Sequence, residues 1–181
     1  MKKGTRTKDD AIGFFGGTDT KDISLSLSNW YRDSFLMYLD HGHRKELLFN
    51  CSEQAMMYIK SYIFKDIRVA DEIKRTPYNP NRYKSLGRQV SNYDEEVWNS
   101  VRYKVMKNIL WQKFGQNPEI RNYLISTKGK KLVECNPYDL IWGAGLSLDD
   151  NFQFESNWRG KNLLGKALME TRKSFVEVGV N

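Results

Sequence analysis

Ser52-Glu53-Gln54-Ala55-Met56-Met57-Tyr58-Ile59-Lys60-Ser61-Tyr62-Ile63-Phe64 reads as a helix that begins at Cys51 or Ser52. At about 100° per residue, positions seven apart project within roughly 20° of one another, so Glu53 and Lys60 share a face. Ile59, Ile63, Met56, Phe64 and Met57 flank that face, while Gln54 and Ser61 mark a different, polar side. An acid and an amine therefore sit inside an apolar arc, where desolvation raises the pKa of a Glu and lowers that of a Lys. Such shifts suit a general acid or base, or an amine nucleophile. A structural ion pair at the margin of a core is the other reading of the same spacing.

Outward from this helix, the turn signals divide the chain into further elements. Asp66 to Arg75 reads as a second helix, and Pro80 opens a short one toward Gly87. A long helix runs from Asp94 to about Phe114, with Val97, Trp98, Val101, Val105, Ile109 and Lys113 on one stripe and Gly115 as its cap. Pro118 restarts a helix through Ile125, and a last helix spans about Lys161 to Val178. Strands are few: Ile12 to Phe15, Lys131 to Cys135, and a hairpin of Ser34–Leu39 and Glu46–Asn50 around His41-Gly42-His43. Helices dominate a minor sheet, so the class is α+β, a mainly helical single domain. Residues 1–11 read as an N-terminal extension, 12–178 as the domain and 179–181 as a tail.

Composition sets the outer bounds. The 181 residues suffice for one ordinary domain, and 40% hydrophobic with 28% charged residues describes a globular chain rather than a disordered one. No apolar run approaches the roughly 20 residues that span a bilayer, so no membrane partner is expected. The basic start, Met1 to Lys8, lacks the apolar stretch of a secretory signal, and the cytoplasm is the expected location. Cys51 and Cys135 are too few for a metal cage, and His41 and His43 have no ligand spacing around them, so the expected metal set is empty. The net charge of +7 fits an anionic ligand, and an aromatic fraction of 13% suits stacking on a ring system. Dinucleotide-binding, P-loop, HExxH and GxSxG patterns are all missing.

Three loops carry candidate binding chemistry. Asn136-Pro137-Tyr138-Asp139-Leu140-Ile141-Trp142-Gly143-Ala144-Gly145 follows a predicted strand with an acid, a Trp and two glycines that let backbone approach a ligand. The plainer reading of Asp139 is a turn residue bonding its own backbone after Pro137. Ser156-Asn157-Trp158-Arg159-Gly160-Lys161-Asn162 opens the last helix, where free N–H groups with Arg159 and Lys161 would hold a phosphate. An ordinary start of a helix is the alternative. Leu27-Ser28-Asn29-Trp30-Tyr31 joins polar groups to two rings.

Taken in order, these segments resemble the NADAR (NAD and ADP-ribose-associated, YbiA-like) family. The likeness runs from Ile12 to about Phe175 through Leu27–Tyr31, Ser52–Tyr58 with Lys60, Leu86-Gly87-Arg88-Gln89-Val90, Trp98 and Arg102, Lys113-Phe114, Leu132-Val133-Glu134, Pro137–Gly143 and Trp158–Met169. The resemblance implies cleavage of N-glycosidic bonds to ribose, in riboflavin-pathway phosphoribosyl-aminopyrimidines or in ADP-ribosylated guanine. Where family members carry Thr-x-Glu-His, this chain has Cys51-Ser52-Glu53-Gln54, which keeps the Glu and lacks the His.

On that footing Glu53, Lys60 and Asp139 are the expected catalytic residues, with Lys60 at the position of a Schiff-base amine. Asn29, Trp30, Arg88, Trp142, Gly143, Arg159 and Asn162 are the expected substrate contacts. The partner is an ADP-ribosyl or phosphoribosyl substrate, free or on DNA or RNA, and the chemistry requires no cofactor. Two rival classes are a catalytically silent ADP-ribose or nucleotide reader and a nucleic-acid module; for the latter the chain lacks a dense basic stripe.

Overall fold

The computed structural model describes residues 3–40 and 44–179, which form two compact units. His41, Gly42 and His43, read as the hairpin loop, lie outside the described residues. One unit is contiguous, Arg32 to Gln116; the other joins the residues up to Tyr31 with those from Asn117 onward.

The contiguous unit starts with an antiparallel hairpin of the strands Phe35–Asp40 and Arg44–Phe49 and continues into four helices. In chain order over the whole molecule the strands are β1 (Gly4–Lys8), β2 (Ala11–Phe15), β3 (Phe35–Asp40), β4 (Arg44–Phe49) and β5 (Lys131–Glu134). The helices are α1 (Ser52–Ile63), α2 (Ile67–Arg75), α3 (Pro80–Gly87), α4 (Glu95–Gln116), α5 (Pro118–Ser126) and α6 (Leu163–Glu177).

Within this unit α1 packs against α2, α3, α4 and β4. It is buried almost all round, including Gln54 and Ser61, which the sequence pattern puts on a polar side. Their polarity is met internally. The Gln54 side chain accepts from Asn50 N and donates to Ile73 O, and the Ser61 hydroxyl donates to Met57 O. Asp66 caps α2 by accepting from Val69 N, and Asn79 caps α3 by accepting from Arg82 N, one residue ahead of Pro80.

The stripe expected on α4 is shifted. Val97 is exposed, and the buried row is Trp98, Arg102, Met106, Ile109, Leu110, Lys113 and Phe114. Four successive steps of four residues rotate about 160° around a helix, so Val97, Val101, Val105, Ile109 and Lys113 cannot all face one way. Mixing steps of three and four, as the observed row does, keeps a face straight.

The second unit is built on a three-stranded sheet of order β1-β2-β5, with β1 antiparallel and β5 parallel to β2. Sequence reading placed no strand before Ile12, because Gly4-Thr5-Arg6-Thr7-Lys8 carries no apolar alternation. β1 is an edge strand held by polar contacts instead: Arg6 Nη1 pairs with Asp149 at 2.8 Å, and Lys8 Nζ donates to Asp150 O at 2.8 Å. Beneath the sheet, Ala11, Val133, Cys135, Ala144, Leu146, Leu148 and Phe152 form one apolar cluster flanked by Phe15 and Trp158. α6 packs on β5, α5 packs on α6, and a 3-10 helix (Ile23–Leu27) touches β1, β2 and α5.

Candidate active site

Glu53, Lys60 and Arg88 belong to the contiguous unit. Glu53 lies in the first turn of α1, 6% exposed, beside the wholly buried Cys51 and Ser52. Burial pushes the Cys51 thiol up to about 12, so it rests as an uncharged neighbour. Ser52 Oγ is buried and makes no hydrogen bond among the described residues.

Lys60 is half-buried, and burial lowers its pKa. Its amine donates to the Gly87 carbonyl at 2.8 Å and lies 4.2 Å from the centre of the Tyr93 ring and 5.9 Å from that of Trp98. The ion pair with Glu53 that the alternative reading of the spacing would give is not among these contacts. Lys60 is therefore an amine held by one carbonyl and two rings rather than by a carboxylate. Gly87 favours the arrangement: a Cβ there would run into the Met57 thioether on α1, so glycine lets α3 approach closely while its carbonyl reaches Lys60. Arg88, at the C-cap of α3, is exposed with no ion pair among the described residues.

Sequence reasoning put Lys113 on a helix stripe but not in the site, and Tyr93 nowhere. Lys113 is fully buried on α4, and burial pushes it down to about 8, with Cys51 and Asp33 acting in the opposite sense. A lysine spaced into an apolar row was the available signal. Tyr93 stands in a polar loop and carries none.

The other unit holds the remaining candidates. Asn29 is 7% exposed, and its amide oxygen is buried without a hydrogen-bond partner among the described residues. Trp30, half-buried, has the Lys3 amine 5.9 Å from its ring centre, and its backbone N–H donates to Ser28 Oγ.

Asp139, Trp142, Gly143, Arg159 and Asn162 do come together, as two interlocked backbone segments. Asp139 Oδ1 accepts from Ile141 N at 3.0 Å and Trp142 N at 2.8 Å, which is the turn geometry that the plainer reading anticipated. The N–H groups of Lys161, Asn162, Leu163 and Leu164 donate to the carbonyls of Leu140, Gly143, Ile141 and Trp142. Those of Arg159 and Gly160 both donate to Ala144. The donors expected to cradle a phosphate at the start of the last helix are thus consumed by the neighbouring loop. This also explains why α6 begins at Leu163 and not at Lys161.

Asn162 is wholly buried, in left-handed backbone (φ 49°), and its amide donates to Leu132 O at 2.9 Å and accepts from Glu134 N at 3.0 Å. It is a latch between α6 and β5. Gly143 is required by close packing, since a Cβ would sit 2.8 Å from Asp139 O. Of this group Trp142 keeps a half-buried side chain, and Arg159 is exposed with no ion pair among the described residues.

No group of three or more His, Cys, Asp or Glu able to hold a metal is found among the described residues. No helix among them is long and apolar enough to cross a membrane.

A family model described as the NADAR domain matches residues 14–176. The Caenorhabditis elegans protein irg-1 is 38% identical over 164 residues, which cover 85% of this chain and 77% of that protein. N-glycosidase R617 of Acanthamoeba polyphaga mimivirus is 32% identical over 166 residues, covering 91% of this chain and 96% of the relative. Among solved structures, the NMR structure of the E. coli protein YbiA superposes with a TM-score of 0.69 at 27% identity, over 97% of this chain and 90% of that one. Sequence motifs, family match and fold agree along nearly the whole length, and the chain belongs to the NADAR domain family.

Proposed function

We propose that the chain is an N-glycosidase that hydrolyses the bond between a base and a phosphoribosyl or ADP-ribosyl group. Relatives named N-glycosidases support the reaction type. The observation that carries the residue assignment is a buried carboxylate, Glu53, and a half-buried amine, Lys60, on one helix, the amine held by the Gly87 carbonyl and with no ion pair to Lys60 among the described residues.

Breaking the bond from C1′ to the base nitrogen develops positive charge on the ribose and negative charge on the leaving base. Glu53 transfers a proton to the base nitrogen as the bond lengthens, and water supplies the hydroxyl to C1′. In the covalent variant of this reading, Lys60 in its neutral form adds to C1′ of the ring-opened sugar and expels the base, forming an imine. Water then hydrolyses the imine, returning the amine and leaving the sugar as an aldehyde. Asn29 contributes a buried, unsatisfied amide oxygen, whose desolvation costs about 1–3 kcal/mol unless a ligand donor meets it. Within the contiguous unit Arg88 offers a guanidinium group to phosphate; within the other unit Trp30 and Trp142 offer ring faces to a base, and Arg159 offers a guanidinium group. Asp139 acts by fixing the turn that carries Trp142, and Gly143 and Asn162 hold that turn against α6.

Mass spectrometry of products, with a phosphoribosyl-aminopyrimidine and an ADP-ribosylated guanine as substrates, tests the reading in the presence of a chelator. Free base is the expected product from at least one, and Glu53→Gln lowers turnover on the order of 10²-fold with the fold intact. Borohydride added during turnover is expected to leave a sugar-bearing adduct on Lys60, which Lys60→Arg abolishes. Tight ADP-ribose binding with no base released from either substrate would make the protein a reader, and full turnover in Glu53→Gln would remove the carboxylate from the mechanism.

A further inference from the structure

Tyr93 is placed with more care than a surface tyrosine needs. It is 45% exposed, yet its ring meets that of Phe64 edge-on, with centres 5.3 Å apart at 64°. The loop that carries it is anchored at Ser91, whose backbone N–H and hydroxyl both donate to Asp66 Oδ2, at 2.9 and 2.8 Å. The other oxygen of Asp66 caps α2. Asn92 then turns through left-handed backbone (φ 55°), and Tyr93 follows. One carboxylate thus ties the start of α2 to the loop, and the loop delivers an aromatic ring to within 4.2 Å of the Lys60 amine. An aromatic face at that distance attracts an ammonium and has no comparable attraction for a neutral amine.

We propose that Tyr93 is a positioning residue for Lys60: its ring, with the Gly87 carbonyl and Trp98, holds the amine in one place and in its protonated form. The charged groups around this contact are Glu53 on the same helix, Asp66 at the cap of α2, Arg88 after α3, and Asp94, Glu95 and Arg102 on the α4 side. The last three act on the Tyr93 hydroxyl, whose pKa is raised chiefly by burial. Among the described residues none of the four carboxylates forms an ion pair with Lys60, and the ring and the carbonyl are the contacts that oppose the effect of burial on the amine. The proposal rests on the Lys60 reading only for its catalytic consequence. A resting enzyme would keep its nucleophile masked, and a substrate that displaces the ring would release a neutral amine where C1′ arrives.

The test reads the amine directly. Pulsed acetylation of the full-length protein across pH, with peptide mass mapping, gives the midpoint at which Lys60 becomes reactive. Tyr93→Phe keeps the ring face and is expected to match the wild type. Tyr93→Leu keeps apolar cover without the face, and its midpoint is expected about one pH unit lower. An unchanged or raised midpoint in Tyr93→Leu, or a Tyr93→Phe variant that behaves like it, would overturn the proposal. Base release measured on the same variants separates the two readings. If the labelling midpoint moves and the pH profile of turnover does not, Tyr93 governs the amine as stated and Lys60 is not the nucleophile.

Discussion

Asp139 illustrates how a single carboxylate can be read in two ways that the geometry separates. Its Oδ1 is committed to the N–H groups of Ile141 and Trp142. Asparagine retains an oxygen at that place but no charge, so Asp139→Asn is expected to keep turnover within a few-fold of wild type. Asp139→Ala loses the acceptor and leaves Trp142 unsupported, and a fall on the order of ten-fold or more is expected, from loss of orientation. Steady-state kinetics on the two variants decides the matter: a large loss in Asp139→Asn would restore a direct chemical role for the charge. The turn was legible from Asp139 following Pro137. The job of Asn162 was not, because an amide that bonds the backbone of a strand about thirty positions earlier leaves no local trace.

At the scale of elements, caps and breakers made the helices readable. Asp66, Pro80 and Pro118 stand at the starts that the sequence pattern predicts. What local pattern missed depends on partners far away in the chain: β1 is polar and pairs as an edge, and the true buried row of α4 includes Arg102 and Lys113. The contact of α3 with α1 yields a prediction of its own. Alanine at Gly87 gains about 1 kcal/mol in helix propensity. Its methyl group, however, overpacks against Met57, at a cost of about 1–3 kcal/mol. Gly87→Ala is therefore expected to lower the urea midpoint and, by moving the Gly87 carbonyl, to weaken the hold on Lys60. A midpoint equal to or above wild type would mean that the thioether swings aside at no cost.

For the molecule as a whole, the most telling charge is the one that burial discourages. Lys113 titrates near 8 in the folded protein, against about 10.4 in an unfolded chain. Below pH 8 both states are protonated and the penalty of a buried ammonium is fully present. Between pH 8 and about 10.4 the folded state has released a proton that the unfolded state still holds, so stability contributed by this group rises with pH and is complete above that window. Urea unfolding of wild type and Lys113→Met from pH 7 to 10.5 is expected to show their difference shifting toward the wild type by about 3 kcal/mol over the window. A difference independent of pH would contradict this.

The sheet order β1-β2-β5 also sets a timetable. As the chain leaves the ribosome, β2 emerges early and its parallel neighbour β5 only after the entire Arg32–Gln116 unit has been made. That contiguous unit has all of its own strands and helices in hand and can fold while synthesis continues. The first strands must meanwhile wait with one edge open, and the late closure of β2 onto β5 carries the loop entropy of everything between them. The polar, lysine-bearing character of Gly4–Lys8, which hid β1 from a reading of hydrophobic pattern, discourages pairing along the outer edge of that hairpin, while the β2 edge stays open until β5 closes it.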